Sequence, residues 1–353
     1  MGQRHSRGVK AITDPTILTV VLNYRTPDLT LRAVAAALRE MQGLSGQLTI
    51  VDNASGDGSF ETLAAAADAN GWTRDGRVRI IQSGRNGGFG AGNNTGIRAG
   101  LAAGARPDFI YILNSDAFPD AGAIHALLAC LKDNPSAGLA GSYLHGPEGM
   151  PHVTAFRFPS ISSEFEGAAC TGIVSRLLSD SIVSLPIPKA TQPVDWLAGA
   201  SLMIRREVLD DIGLFDERFF LYFEETDLCR RAAKAGWQTL YVPGSSVTHI
   251  GSASTGMKTW QRTPAYWFES RMHYFVKNHG VVYAGLATLA HVAGIVIYRT
   301  RSLVSDKPRL DPPHFFRDLL RHAFRIAWRG KPRARPTPSI ARFSPEHKRN
   351  PGG

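Results

Sequence analysis

Short apolar runs alternate with stretches of helical period through the first 140 residues. Residues 17–22 (ILTVVL) predict a buried strand, and 30–41 (TLRAVAAALREM) predict a helix capped near Asp28 or Thr30. Residues 48–51 (LTIV) predict a second strand and 59–70 a second helix, with Glu61 placed to favour its positive N-terminal end. A third strand is expected at 78–82 (VRIIQ), a helix at 94–103, a fourth strand at 109–113 (FIYIL) and a helix at 121–132. Residues 145–195, rich in Ser, Gly and Pro, predict loop-like structure in part. Regular structure is expected again at 196–205 (WLAGASLMIR), then in a helix ending near Ala235 and stopped by Gly236, then in a strand at 238–242.

Strand–helix–strand alternation predicts an α/β fold with a mainly parallel sheet flanked by helices. Ligands gather at the carboxyl ends of such strands. Asn23-Tyr24, Asp52-Asn53, the stretch from Asn86 and Asn114-Ser115-Asp116 follow the four predicted strands. One sheet would bring all four polar ends to one site.

Composition narrows the class. Apolar residues make up 43% and charged residues 20% of 353, enough for a packed core. Cys130, Cys170 and Cys229 form no CxxC pair, which excludes a disulfide scaffold or cysteine zinc site and suits a reducing compartment. The polar start, MGQRHSRGVKAITDP, has no apolar segment of the kind a secretory leader carries. The net charge of +10 sits in the tail: residues 299–353 hold 14 Lys and Arg against 4 Asp and Glu, while residues 1–298 hold 26 of each sign. Nucleic acid or an anionic membrane surface would attract such a tail. Residues 281–298 carry no formal charge but contain Thr288, His291 and two glycines, so an in-plane or hairpin membrane contact is expected rather than a span. Residues 312–328 (PPHFFRDLLRHAFRIAW) fit either an interfacial helix or a helix packed on the main domain.

The polar clusters carry candidate chemistry. Asp116, just past a strand, can hold a divalent cation, although Asn, Ser and Asp also build ordinary strand-end turns. Residues 84–96 (GRNGGFGAGNNTG) form a Gly-rich stretch whose backbone N–H groups can approach an anion, with Asn93 and Asn94 able to bond a sugar or diphosphate. Its glycine spacing misses the dinucleotide fingerprint by one residue, and no glycine follows the first strand, so a Rossmann dehydrogenase is discounted. Asp52 can accept from the imide N–H of uracil or thymine, or simply close a tight loop. Glu224-Glu225-Thr226-Asp227 places three carboxylates in four residues, which raises at least one pKa and suits a general base. His249 is a metal ligand, a diphosphate donor or a structural imidazole.

Six ordered segments carry a resemblance: VVLNYRT, IVDNASGDGS, GRNGGFGAGNNTGI, YILNSDA, WLAGASLMIRR and GLFDERFFLYFEETDLCRRAAKAGW. They resemble the family 2 glycosyltransferases, inverting enzymes of GT-A fold, and within them the bacterial rhamnosyltransferase-like branch that builds cell-surface polysaccharides. The resemblance implies that Tyr24 and Asp52 contact the nucleotide base and that Asn86, Gly87 and Gly88 line the donor pocket. Asn23, Asn53, Asn93, Asn94, Asn114 and Ser115 complete the expected donor side. Asp116 and His249 would bind Mg2+ or Mn2+, Asn114 standing where the family's motif begins with Asp. Glu225 occupies the general-base position, a Glu where the family usually has Asp. Trp196, Gly199, Ala200 and Glu224 fall on the acceptor side, Trp196 as a sugar-stacking or a core indole.

These readings predict a metal-dependent inverting transferase that moves a sugar from dTDP-rhamnose or a UDP-sugar to a lipid-linked or glycan acceptor. It would work at the cytoplasmic face of the inner membrane, as a peripheral or monotopic protein touching anionic lipid and no nucleic acid. The expected organisation is a flexible start (1–14), a catalytic domain (15–280, with halves at 15–140 and 141–280), a helical membrane-associated extension (281–330) and a basic flexible tail (331–353). A catalytically impaired nucleotide-sugar-binding relative and a basic-tailed nucleic-acid binder are the alternative readings.

Overall fold

Strand β1, Thr16–Asn23, is buried at nearly every position, as only a central strand covered on both faces can be. In this computed structural model, which describes residues 14–251, 261–303 and 312–329, it is followed by α1 (Pro27–Glu40), β2 (Ser45–Asp52), α2 (Ser59–Ala69), β3 (Val78–Gln82), α3 (Gly88–Ala99) and β4 (Phe109–Asn114). Then come β5 (Ala117–Pro119), α4 (Ala123–Asp133), β6 (Ala137–His145), β7 (Ala155–Phe156), α5 (Ile161–Ala169), α6 (Gly172–Leu177), β8 (Gln192–Val194) and β9 (Trp196–Leu197). The described chain ends with β10 (Ser201–Arg205), α7 (Arg206–Ile212), α8 (Glu224–Lys234), β11 (Gln238–His249), α9 (Ala265–His279), α10 (Val281–Ser302) and α11 (Phe315–Arg329). The expected flexible start and basic tail lie almost wholly outside the described residues.

The main sheet runs β3-β2-β1-β4-β10-β6-β11-β5, with β8 on β11. Pairs among β1 to β4 are parallel, as is β6 with β11; β10, β5 and β8 run antiparallel to their neighbours. Alternate residues of β1 serve two cores. Ile17 and Val21 pack with Ala33 and Val34 of α1 and Leu127 of α4. Leu18 and Val20 pack with Ile97 of α3, Val208 of α7 and Leu228 of α8.

Several elements depart from the sequence pattern. Helix α1 opens on Pro27 at its first turn, with Thr26 at the cap, not Asp28 or Thr30. Helix α3 starts at Gly88, inside the stretch expected to be a loop, because its glycines let it sit closely on the sheet. A Cβ on Gly92 would come 2.4 Å from Leu22, and one on Gly96 would come 2.6 Å from Val20. Helices α5 and α6 occupy the stretch expected to be loop-like, each with a side-chain cap, Ser160 and Thr171. Strand β11 passes an irregularity between Val242 and Ser246 and continues to His249.

Helix α10 is long and apolar enough, by length and composition, to cross a membrane. One side of it packs on α5, where a Cβ on Gly294 would come 2.7 Å from that of Ala168. Its Ala284, Ala287, Thr288, Ile295 and Tyr298 are buried, while Val282, Leu286, Leu289 and Val296 are exposed. Helix α11 packs Phe315 and Leu319 against Phe268 of α9 and Ile295 of α10, and Arg262 pairs with Asp318 at 2.7 Å. Phe324 stays exposed, so α11 is packed on one side and open on the other.

Candidate active site

Strand register assembles the site. Asn23 pairs with Asp52 across β1 and β2, and Leu22 pairs with Asn114 across β1 and β4, so three polar strand ends share one sheet edge. Strand β10 enters from the same edge, the Asn114 N–H donating to the Ala200 carbonyl at 3.0 Å. Strand β11 ends there too, with His249 opposite Ala117.

The strand ends expected to form the donor side are held by a closed polar network. Asn23 Nδ2 and Ser55 Oγ donate to Asp52 Oδ1 at 2.8 and 2.5 Å, and Thr30 Oγ1 donates to Asn23 Oδ1 at 2.8 Å. Asn23 and Asp52 are buried, which gives them the work of shaping the edge beside half-buried Tyr24. Arg25 sits 5.3 Å from the Tyr24 ring. Asn53 Nδ2 donates to Asn86 Oδ1 and to the Gly88 carbonyl, tying the second strand end to the start of α3. Gly87 is buried beside it. Gly88 has φ +86° and lies against the 219–223 segment: a Cβ there would fall 1.7 Å from the Phe220 carbonyl oxygen. Only glycine fits.

The two asparagines of α3 separate. Asn93 Nδ2 donates to the Phe89 carbonyl, and its buried Oδ1 has no partner among the described residues. Asn94, expected to touch the donor, is instead enclosed: its Nδ2 donates to the Phe215 carbonyl at 2.9 Å and its Oδ1 accepts the Phe215 N–H at 3.1 Å. Both ends of its amide join α3 to the chain approaching α8.

Asp116 and His249 meet where β4 and β11 end. His249 Nε2 lies 3.2 Å from Asp116 Oδ1, without the alignment of a hydrogen bond. Ser115 beside them is buried and accepts from Thr26 Oγ1 at 3.1 Å, while Asn114 is half-buried at the strand end.

The carboxylates at the start of α8 are aimed by their backbone. Tyr222 and Phe223 both have φ +70°, two successive non-glycine residues in the left-handed region, a strained entry of the kind kept at functional sites. Glu225 follows half-buried, with Oε1 against the backbone of Gly199, and leaves Oε2 with no partner among the described residues. Burial outweighs the backbone hydrogen bonds and pushes its carboxyl above the ordinary carboxylate range. Glu224 is pushed up as well, by burial and then by the neighbouring Glu225 charge. Expected on the acceptor side, Glu224 is only 2% exposed and lies beside Gly90 of α3. Asp227 has the opposite fate. Burial works to raise its pKa, but Arg231 at 2.8 Å and Lys277 at 2.7 Å outweigh it and hold the group ionised.

Glu225 lines a cavity of about 410 Å³ between α8 and the α5, α9 and α10 helices. Trp196 forms part of the wall, with one face stacked on Phe156 at 4.2 Å and Nε1 donating to the Arg157 carbonyl. Gly199 is tightly placed, since a Cβ would come 3.0 Å from the Phe89 ring. Buried Ala200 is a backbone contact for Asn114.

A family model described as glycosyltransferase-like family 2 matches residues 15–273. The chain belongs to this family. An N-acetylglucosaminyl-diphospho-decaprenol L-rhamnosyltransferase of Mycobacterium tuberculosis is 32% identical over 247 residues, covering 68% of this chain and 78% of its own. The dTDP-rhamnosyl transferase RfbF of Shigella flexneri is 24% identical over 239 residues, covering 67% and 70%. The mannosyltransferase of Pyrobaculum calidifontis, solved with GDP-Man and Mn2+, superposes with a TM-score of 0.53 at 13% identity, over 90% of this chain and 88% of that one. At that identity the likeness shows the shared fold.

In this glycosyltransferase the residues fit a divalent cation. A carboxylate and an imidazole approach without a hydrogen bond between them, and both are ligands that Mn2+ accepts. Sequence reasoning passed over Trp267, Glu164 and His291 of the cavity wall. Glu164 lies in the stretch expected to be irregular; a polar His291 inside an apolar helix was the available signal.

Proposed function

We propose that this glycosyltransferase moves a sugar, with inversion, from a nucleoside diphosphate to a hydroxyl of a lipid-linked acceptor, with rhamnose from dTDP-rhamnose as the first donor to test. One observation carries the reading: a carboxylate with a raised pKa and a bare oxygen, Glu225, stands on a cavity wall in α8, which packs against α3 of the donor side. Glu225 Oε2 takes the proton from the acceptor hydroxyl. That oxygen attacks the anomeric carbon from the face opposite the nucleotide, the carbon–oxygen bond to the diphosphate breaks, and its electron pair leaves with the nucleoside diphosphate. Asp116 and His249 would hold Mn2+ or Mg2+, which supplies neutralisation of diphosphate charge. The rhamnosyl donor and lipid-linked acceptor are supported by the names of the mycobacterial and Shigella relatives.

The exposed row Val282, Leu286, Leu289 and Val296 on α10, with Arg299 and Arg301 in its last turn, suits an in-plane contact with anionic lipid. This supports the reading of a protein that works against a membrane, at its cytoplasmic face.

The test is incubation with dTDP-rhamnose or UDP-sugars, Mn2+, and N-acetylglucosamine carried on a short polyprenyl diphosphate. Product with inverted anomeric configuration by NMR is expected. Donor turnover absent with every nucleotide sugar would sink the reading.

A further inference from the structure

We infer that Lys277 is a positioning residue for transfer: its single ammonium joins Asp216 to Asp227, the two ends of the segment that carries Glu225, and so fixes where the base stands. This rests on the transfer reading above and adds to it a residue that stands off the cavity wall.

The segment between the two carboxylates has to be held from outside. It enters α8 through Tyr222 and Phe223, both at φ +70°. Non-glycine residues persist in that region only where the surrounding structure over-determines them. On one side α3 does this, with Asn94 on Phe215 and the Phe89 N–H donating to the Phe220 carbonyl at 3.0 Å. On the other side α9 does it with Ser270, His273 and Lys277, whose spacings of three and four put them on one helix face. Ser270 Oγ donates to the Leu221 carbonyl at 3.1 Å, and His273 Nε2 lies 3.0 Å from Asp216 Oδ2. Lys277 Nζ lies 2.9 Å from Asp216 Oδ2, donates to Asp227 Oδ2 at 2.7 Å and stands 5.8 Å from the Phe219 ring.

A cation in that place turns a repulsion into a tie. The Asp216 side chain is 10% exposed and that of Asp227 is 0% exposed, so their charges are poorly screened by water. Burial works to raise both pKa values. His273, Arg218 and Lys277 outweigh it at Asp216 and hold that carboxyl far below the ordinary range, and Arg231 and Lys277 outweigh it at Asp227. Arg218 bonds Asp216 and Arg231 bonds Asp227, whereas Lys277 pairs with both. Glu225 precedes Asp227 by half a helical turn, so movement at that end carries the base with it. A misplacement of about 1 Å can cost about 10²-fold in rate.

Lys277→Met keeps the stem and removes the charge. Asp227→Asn, by contrast, leaves an amide oxygen for Lys277 Nζ and spares the tie. Transfer is measured across pH from dTDP-rhamnose, with Mn2+, to N-acetylglucosamine on a short polyprenyl diphosphate. Calorimetry gives dTDP affinity, and amide hydrogen exchange is followed by mass spectrometry. For Lys277→Met we expect kcat to fall about tenfold or more with dTDP affinity held. Amides of 217–226 should exchange faster while those of β1 and β4 do not. The acid limb of kcat should move down, towards the ordinary glutamate value of 4.5. The direction is decisive, because loss of a nearby cation by itself raises a carboxyl pKa, and only a Glu225 that has shifted into water has a lower one. Unchanged kcat, a limb that stays or rises, or an equal loss of dTDP affinity overturns the assignment. If the wild-type protein transfers nothing, the transfer reading fails for these substrates and hydrogen exchange alone decides the tie. Faster exchange confined to 217–226 upholds it, and unchanged exchange there overturns it. Should Lys277→Met not fold, Lys277→Gln, which keeps a polar donor without the charge, is read by the same criteria.

Discussion

The backbone of Gly199 lies against the carboxylate of Glu225, where a Cβ would come 3.8 Å from Oε1, and Glu225 Oε2 is left without a partner among the described residues. The turn before β10 thus steadies the acid while leaving one oxygen for chemistry. Glu225→Gln keeps the shape and removes the basicity. We expect kcat to fall by about 10²–10⁴-fold with donor affinity held, as for other general bases. Steady-state rates with calorimetry of dTDP check this, and wild-type kcat would move the base elsewhere.

The raised pKa of Glu225 sets the pH profile. A general base works deprotonated, so activity is present above its folded-state pKa and is lost as pH falls through it. Burial lifts that pKa above the ordinary glutamate value of 4.5, so the acid limb of kcat/KM is expected at higher pH than an exposed Glu would give. A pH–rate series locates the limb. A midpoint at or below 4.5 contradicts the burial argument.

Asp227 is a structural anion. Its side chain is 0% exposed and is bonded by Arg231, Lys277 and Asn278. Asp227→Asn leaves two cations partly uncompensated. It should cost on the order of 3 kcal/mol, the scale for breaking a buried pair. Urea unfolding measures the loss, and the folded fraction should still turn over. A stable but inactive Asp227→Asn would reverse the roles of the two carboxylates.

Much of this was legible because strand and helix periods differ. The four leading strands and the helices after them follow the apolar pattern, and the polar strand ends converge as a parallel sheet requires. Helix α3 was partly hidden because glycine is a poor helix former; contact with Leu22 and Val20 selects glycine there, and that contact is long-range. Asn94 looked like a ligand contact for the same reason. Its partner, Phe215, lies 121 residues on, and nothing local announces the pair. The cavity wall from α5 was illegible because its Ser, Gly and Ala residues become helical through capping and packing on α10.

The cation site is tested by titration of metal. Asp116→Asn and His249→Ala should each raise the Mn2+ concentration for half-maximal turnover by about tenfold or more, since even outer partners of metal ligands are worth 10–100-fold in affinity. Circular dichroism should show an intact fold. Unchanged Mn2+ dependence in both variants would leave Asp116 as a turn residue.

The exposed row of α10 makes a separate prediction. Leu286 is 49% and Leu289 64% exposed, so changing both to Ser disturbs no core. Burying a Leu is worth about 1.5–3 kcal/mol, so even shallow insertion should cost the double variant about tenfold in partitioning to anionic vesicles. Co-sedimentation at fixed lipid measures it. Equal partitioning of variant and wild type would assign the membrane contact elsewhere.

Asn94 closes both backbone groups of Phe215, and Gly88 lies directly against the Phe220 carbonyl. Helix α3 and the approach to α8 are therefore sewn together at two stitches, one near each end of the 215–220 stretch. The chain cannot drift toward a new donor by altering α3 alone, because any shift there re-aims Glu225. A lineage that changes its sugar must change residues in pairs across this seam, and single steps on either side are expected to be selected against even where each fits its own ligand.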